Sequence, residues 1–268
     1  MDFARLDRHR IAYLTEGAGV PVLLVHGSFS TSSAWKRLAA HLDKNVWHVV
    51  APDLPGWGES DPLPNDVEPV DFEAMAVEAV ARQVTSGPIH LAGHSSGGTV
   101  ALAVALRGHV PVQSLTLFEP TPISILAYTG SEREFNELSE FVSTYRLAFE
   151  TGDKWAAAPV IDLWGGKGTF DAMPAAVREF IAANTAQNLR SWHGGFTFRP
   201  PLDALAKLQV PTTLVQGALS HRFAKLLVTR LEEFIPRSTV VELKDAAHFM
   251  IQTHPRESAR LIGQPIDA

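Results

Sequence analysis

The sequence predicts an α/β protein, a mostly parallel sheet with helices on both faces, and three observations carry that expectation. Short apolar runs alternate with amphipathic stretches along most of the chain, and strands alternating with helices pair in parallel. Val22-Leu23-Leu24-Val25 is apolar throughout, as a strand covered on both faces must be. Gly/Pro-rich connections such as Asp53 to Ser60 follow the strands, and neither helix nor strand can continue through them.

Taken in order, Ile11 to Leu14 and Val22 to Val25 read as strands separated by the turn at Gly17–Gly19, with a helix over Ser33 to Leu42. Trp47 to Ala51 is the next strand. Asp71 reads as the N-cap of a helix whose apolar face holds Phe72, Met75, Ala76, Ala79 and Val80, and Gly87-Pro88 stops it. Ile89 to Ala92 is a strand, Thr99 to Leu106 a small-residue helix closed by Gly108 and Pro111, and Ser114 to Phe118 another strand.

From Thr121 to about Leu208 the strand pattern disappears. Ser131 and Glu134 fit a capping box ahead of an apolar stripe of Phe135, Leu138, Phe141, Val142 and Tyr145. Pro174 stands at a helix start, with Val177, Phe180, Ile181 and Asn184 along one face, and Trp164 to Gly168 reads as a flexible loop. The alternation resumes with strand Thr212 to Gln216, a helix near Phe223 to Ile235, strand Thr239 to Leu243 and a final helix after Pro255. Residues 1–120 and 209–268 are therefore expected to form one core domain. Residues 121–208 form a helical insertion at the sheet's carboxyl edge, placed to act as a lid.

At 268 residues the chain is one large domain, or a domain with an insertion. Its net charge of −6 argues against a nucleic-acid partner, because phosphate binding needs a surplus of Lys and Arg. Cysteine is absent, which excludes disulfides, thiolate metal sites and cysteine nucleophiles. The opening MDFARLDRHRIAYL lacks the basic-then-apolar pattern of a signal peptide, and no apolar run approaches the roughly 20 residues a membrane span needs. A cytoplasmic enzyme with a small-molecule substrate and no membrane partner is expected. Oligomeric state has no signature in the sequence.

Chemistry enters at Gly93-His94-Ser95-Ser96-Gly97, a G-x-S-x-G run with a strand before it and a helix after it. A serine forced into a sharp strand-to-helix turn presents its Oγ above the sheet edge, and the glycines keep Cβ atoms out of the crowded turn. Such a serine needs a base within hydrogen-bond reach. Of the 11 histidines, His248 is the best candidate, because it follows a strand and a small-residue turn and precedes a helix. That order places it at the carboxyl edge beside Ser95. His94 is expected to shape the elbow, and His254 to start a helix.

His26-Gly27-Ser28 after an early strand, the D-x-x-G-x-G-x-S run from Asp53 to Ser60, the Gly93–Gly98 elbow, the helical insertion and Ala247-His248-Phe249 together resemble the α/β-hydrolase family across nearly the whole chain. The resemblance implies an α/β-hydrolase fold: a mostly parallel eight-stranded sheet, helices on both faces, an inserted helical cap and a Ser–His–acid triad that needs no cofactor and no metal. It also implies an oxyanion hole of Ser96 N–H and Ser28 N–H, with Phe29 N–H the alternative. His26 is expected to hold its turn by hydrogen bonds.

The acid departs from the commonest family pattern. Ser220 occupies the usual slot after Gly217, and no carboxylate occurs from Gly217 to Leu231. Glu119 ends the preceding strand and stands before Pro120, which biases it toward extended geometry, so its carboxylate should emerge at the edge that holds Ser95. Some lactonase-like members of the family place their acid there, and the order Ser…Glu…His is kept. Asp245 is the second candidate.

A serine nucleophile points to acyl transfer with water as acceptor. Phe118-Glu119-Pro120-Thr121 and the stretch from Val215 to Arg230 look most like the lactonase-type branch. The leading expectation is a hydrolase of a carboxylic ester or lactone with a largely apolar acyl part. A carbon–carbon bond hydrolase of a β-diketone-like substrate and a non-catalytic small-ligand receptor are the alternatives, the latter favoured only by Ser220. Phe29, Trp164 and Trp192 are the expected substrate-binding residues, chosen over Trp155, Phe196 and Phe198 because both tryptophans stand next to glycines in apparent loops.

Overall fold

The computed structural model describes residues 1–263. Its sheet has eight strands: β1 (Asp2–Leu6), β2 (His9–Glu16), β3 (Val20–Val25), β4 (Trp47–Pro52), β5 (Ile89–His94), β6 (Val112–Phe118), β7 (Thr212–Gly217) and β8 (Ser238–Leu243). Their spatial order is β1-β2-β4-β3-β5-β6-β7-β8. Only the β1–β2 and β2–β4 pairings are antiparallel, so β2 alone runs against the rest. Strand β1 carries no apolar run to announce it: Asp2, Phe3 and Arg5 are exposed and only Ala4 and Leu6 are buried.

The two-sided burial of the central strands follows from their apolar runs. Along β3, Leu23 and Val25 enter one core with Leu91, Leu115 and Leu117, while Val22 and Leu24 enter the other with Ala92, Phe118 and Val215. Successive strand side chains point to opposite faces, so a strand between two helical layers needs both sets apolar.

The helices are α1 (Lys36–Ala39), α2 (Pro69–Val84), α3 (Ser96–Arg107), α4 (Glu132–Glu150), α5 (Ala158–Gly165), α6 (Thr169–Ala172), α7 (Ala175–Ala183), α8 (Thr185–Thr197), α9 (Leu202–Ala206), α10 (Arg222–Phe234), α11 (Met250–Thr253) and α12 (Pro255–Arg260). The expected helix over Ser33 to Leu42 is a 3₁₀ turn followed by the single turn of α1. Between β6 and β7, the described residues hold helices and no strand. No described helix is long and apolar enough to cross a membrane.

Three local expectations are corrected. Helix α2 starts at Pro69, and Asp71 lies in its first turn rather than at its cap; proline lacks the N–H that a first helical residue cannot use. Ser131 precedes α4 but caps nothing, because its Oγ accepts a 3.0 Å hydrogen bond from Arg230 Nε. Trp164 and Gly165 end helix α5 rather than forming a loop. The Asp162 carboxylate accepts from Gly168 N–H and Phe170 N–H, both at 2.9 Å, and folds the glycine run into a tight turn.

The D-x-x-G-x-G-x-S run is a scaffold below the site. Buried Asp53 accepts from Ser32 N–H at 2.7 Å and Glu59 N–H at 3.0 Å, and a Cβ on Gly58 would overlap its carboxylate. His26 does what its turn needs: Nδ1–H donates to the Gly27 carbonyl at 2.8 Å and Nε2 accepts from Leu54 N–H at 3.0 Å.

The elbow glycines have the same steric cause. A Cβ on Gly93 would overlap the Gly97 carbonyl, and one on Gly97 would overlap the His26 carbonyl. Both obstacles are backbone and cannot swing away. Gly97→Ala is expected to lower stability by roughly 3 kcal/mol. A urea titration checks this, and an unchanged midpoint would contradict it.

Candidate active site

The parallel register gathers the site. Val25 pairs with Gly93, His94 with Phe118, Phe118 with Val215, and Gly217 with Leu243. The residues that follow these strand ends, Ser28, Ser95, Glu119 and His248, therefore meet at one edge of the sheet.

Ser95 adopts φ 55° and ψ −125°, the strained turn that a strand-to-helix elbow requires. Its N–H remains tied to the Phe118 carbonyl at 2.9 Å. Glu119 lies at the same edge, but not in the extended conformation expected before Pro120: its φ is +44°. Its N–H still bonds the Val215 carbonyl at 2.9 Å, so the chain turns sharply after the last sheet bond.

His248 Nδ1 lies 2.7 Å from Glu119 Oε2, and His248 Nε2 lies 3.0 Å from Ser95 Oγ. Glu119 Oε1 accepts from Gly217 N–H at 2.7 Å. Beside an ionised carboxylate Nδ1 is the donor, which leaves Nε2 free to accept the Ser95 hydroxyl proton. Burial alone would raise the Glu119 carboxyl. Its hydrogen bond and charge attraction to His248, with help from the Ser220 hydroxyl and Gly217 N–H, outweigh burial and hold it below the usual carboxylate range.

Asp245 is exposed at φ +59°, and the carboxylate on His248 Nδ1 is that of Glu119. Ser220 is buried with its hydroxyl beside Glu119. His94 clamps the His248 loop through a 2.8 Å bond from Nε2–H to the His248 carbonyl. Burial, followed by the neighbouring His248, pushes the His94 imidazole down to about 3, so His94 is neutral at physiological pH.

The expected oxyanion donors need one amendment. Ser28 N–H is already engaged, donating to Ser96 Oγ at 2.9 Å. The sequence reading overlooked the Ser96 side chain, although a hydroxyl beside the nucleophile was in plain view. The N–H groups of Ser96 and Phe29 have no acceptor among the described residues.

Above these groups lies a cavity of about 280 Å³. Phe29, Trp164 and Trp192 line it, whereas Trp155, Phe196 and Phe198 do not. Trp192 lies inside helix α8 rather than in a loop. Gly194 and Gly195 mark close packing there, since a Cβ on Gly195 would come within 2.9 Å of the Thr121 carbonyl. The sequence reading missed Ile123, Val160, Ile161 and Met173 on the apolar wall and Gln252 and Thr253 at the polar end. Val177 and Ile181, seen in the α7 stripe, also reach the cavity. Among the described residues, no Asp, Glu, Lys or Arg lines it. Among the described residues, no group of three or more His, Asp or Glu could hold a metal ion.

The chain matches the profile of the alpha/beta hydrolase family over residues 22–261. It is 34% identical over 103 residues to the (E)-2-((N-methylformamido)methylene)succinate hydrolase of Acinetobacter baylyi, a match covering 38% of each chain. It is 33% identical over 99 residues to the 2-hydroxy-6-oxononadienedioate/2-hydroxy-6-oxononatrienedioate hydrolase of Escherichia coli K12, covering 36% of this chain and 34% of that one. The matched segment thus spans little more than a third of either curated relative. Among solved structures, Est816, described as an N-acyl homoserine lactone degrading enzyme, shares the fold. It superposes with a TM-score of 0.76 at 19% identity, covering 97% of this chain and 98% of that one. The family match runs from within β3 to just past α12, and the chain belongs to the alpha/beta hydrolase family.

Proposed function

We propose that the protein is a serine hydrolase, cleaving a carboxylic ester or lactone of a small, neutral, largely apolar substrate through an acyl-enzyme on Ser95. One observation carries the reading. The hydrogen-bonded line Glu119–His248–Ser95 opens onto a cavity with an apolar wall and, among the described residues, no Asp, Glu, Lys or Arg in its lining.

In this scheme His248 Nε2 takes the Ser95 proton as Oγ attacks the substrate carbonyl. Glu119 stabilises the imidazolium across Nδ1–H, which a serine at position 220 could not do. The carbonyl oxygen becomes an oxyanion bound by Ser96 N–H and, once it displaces the Ser96 hydroxyl, by Ser28 N–H; Phe29 N–H is the alternative donor. Losing one such donor costs roughly 10²–10³ in rate. The intermediate collapses, its leaving alkoxide takes the proton from Nε2, and the acyl group stays on Ser95. Water then attacks with His248 as base and releases the acid. In a lactone the alkoxide remains tethered to the acyl part. No step calls on a cofactor. Residues 121–208 serve as a cap, because Val160, Trp164, Ile181 and Trp192 from their helices wall the cavity over Ser95.

A carbon–carbon bond hydrolase of a β-diketone-like substrate, using the same three residues, is the second reading. Of the two curated relatives' names, that of the Escherichia coli enzyme supports it, since it denotes a hydrolase of 6-oxo acids. Those names specify a succinate and dienedioates, and enclosing such anions calls for cationic partners. The uncharged lining favours a neutral substrate instead. Glu119 beside His248 likewise weighs against a non-catalytic receptor.

Two experiments test this reading. A serine-directed phosphonate is expected to label Ser95 stoichiometrically, and Ser95→Ala to lower p-nitrophenyl butanoate hydrolysis by at least about 10³-fold. The neutral butanoate ester should exceed the anionic hemisuccinate ester at least tenfold in kcat/KM. Failure to label Ser95 would contradict the hydrolase reading, and a preference for the hemisuccinate would contradict the neutral substrate. Separately, Glu119→Gln is expected to lower kcat by about 10²-fold or more with the circular dichroism spectrum unchanged, while Asp245→Asn stays within about twofold. The reverse pattern would overturn the assignment of the acid.

A further inference from the structure

We infer that Trp164 takes part in proton transfer through His248, its indole face stabilising the imidazolium that forms when Ser95 loses its proton. The inference rests on the serine-hydrolase reading above and assigns to the helical insertion a role beyond enclosing substrate.

The Trp164 and His248 rings are stacked, with centroids 4.9 Å apart and planes 25° from parallel. Trp164 is only 8% exposed and His248 only 2%, so the stack is shielded from water. An aromatic face attracts a cation within about 6 Å of its centroid, most strongly where both are desolvated. Charge develops on the imidazole only as the reaction proceeds, so this attraction is stronger in the transition state than in the resting enzyme. That difference is what accelerates a step.

The surroundings leave few competitors for the charge. From β6, the Glu119 carboxylate lies against Nδ1 at 2.7 Å. From β5, the His94 ring packs at 4.8 Å and is neutral at working pH, so it brings no opposing charge. From the loop of His248 itself, Phe249 presents an edge at 5.7 Å. From α5, the Asp162 carboxylate is committed to the N–H groups of Gly168 and Phe170. A nascent imidazolium therefore meets one anion at Nδ1 and one indole against its face.

The indole is also held in place. A Cβ on Gly165 would approach Phe249 Cε2 to 2.7 Å, so the end of α5 abuts the residue following His248. Trp164 stacks in turn on Trp192, with centroids 5.8 Å apart and planes at 23°. A residue that merely lined the cavity would need neither the parallel stack on the base nor this buttress.

Trp164→Leu, Trp164→Phe and Trp192→Leu in the full chain test the role, with kcat and KM for p-nitrophenyl butanoate followed across pH and the rate of Ser95 phosphonylation followed alongside. Trp164→Leu is expected to lower kcat and the phosphonylation rate by the same factor, roughly five- to thirtyfold, with KM changed less than about threefold. It should also move the acidic limb of the kcat/KM profile to lower pH. Trp164→Phe keeps a π face and should show a smaller displacement in the same direction. Trp192→Leu loosens the buttress without removing the indole, and should move the limb in the same direction by less than Trp164→Leu does. A rise in KM at constant kcat, an acidic limb moving to higher pH, or equal losses in the Leu and Phe variants would overturn the role. Should Trp164→Leu fail to fold, the direction of the limb in Trp164→Phe decides the question alone. Labelling of wild-type Ser95 reports on the underlying hydrolase reading separately.

Discussion

The Glu119 carboxylate is fully buried at the end of β6, where an unpaired charge would be costly. It stays ionised because each oxygen has a donor, His248 Nδ1–H on one and Gly217 N–H on the other. This pairing joins β6, the end of β7 and the loop after β8 at one point. It also sets the tautomer of His248, and the tautomer decides whether Nε2 can accept a proton from Ser95. Remove either partner and the other is left buried without its complement, a loss of several kcal/mol by analogy with buried ion pairs.

Close approach of backbones makes the meeting possible. The elbow brings β5 into α3 so tightly that Gly93 and Gly97 each face a carbonyl oxygen where a Cβ would stand. Beneath it, His26 and Asp53 spend their polar atoms on neighbouring backbone groups and hold the turns after β3 and β4. The proposed chemistry therefore rests on rigid strand ends, while much of the cavity wall comes from helices between β6 and β7. This division lets substrate choice change without disturbing the reacting line, which is why the fold alone does not name a substrate.

The sheet was legible because two-sided burial writes continuous apolar runs, as in Val22 to Val25. Ser95 and His248 were legible from their places in the element order. Glu119 was found by elimination, since position 220 holds a serine and a carboxylate at the end of the previous strand reaches the same edge. Its positive φ was not legible, because the preference of a residue before proline for extended geometry gives way to the turn that the site demands. The glycines beside Trp164 and Trp192 misled the reading: they mark a helix end and close helix packing rather than loops. Contacts such as Ser28 N–H to Ser96 Oγ, and the stack of Trp164 on His248, join residues 68 and 84 positions apart along the chain, and no local pattern encodes them.

The most direct measurement of the central contact is the proton NMR signal of His248 Nδ1–H. A proton held between a buried imidazole and a carboxylate is strongly deshielded and slow to exchange. The account predicts such a resonance in the wild-type protein, its loss in Glu119→Gln and its persistence in Asp245→Asn. A spectrum without it, or one in which it survives the loss of the Glu119 charge, would contradict the account.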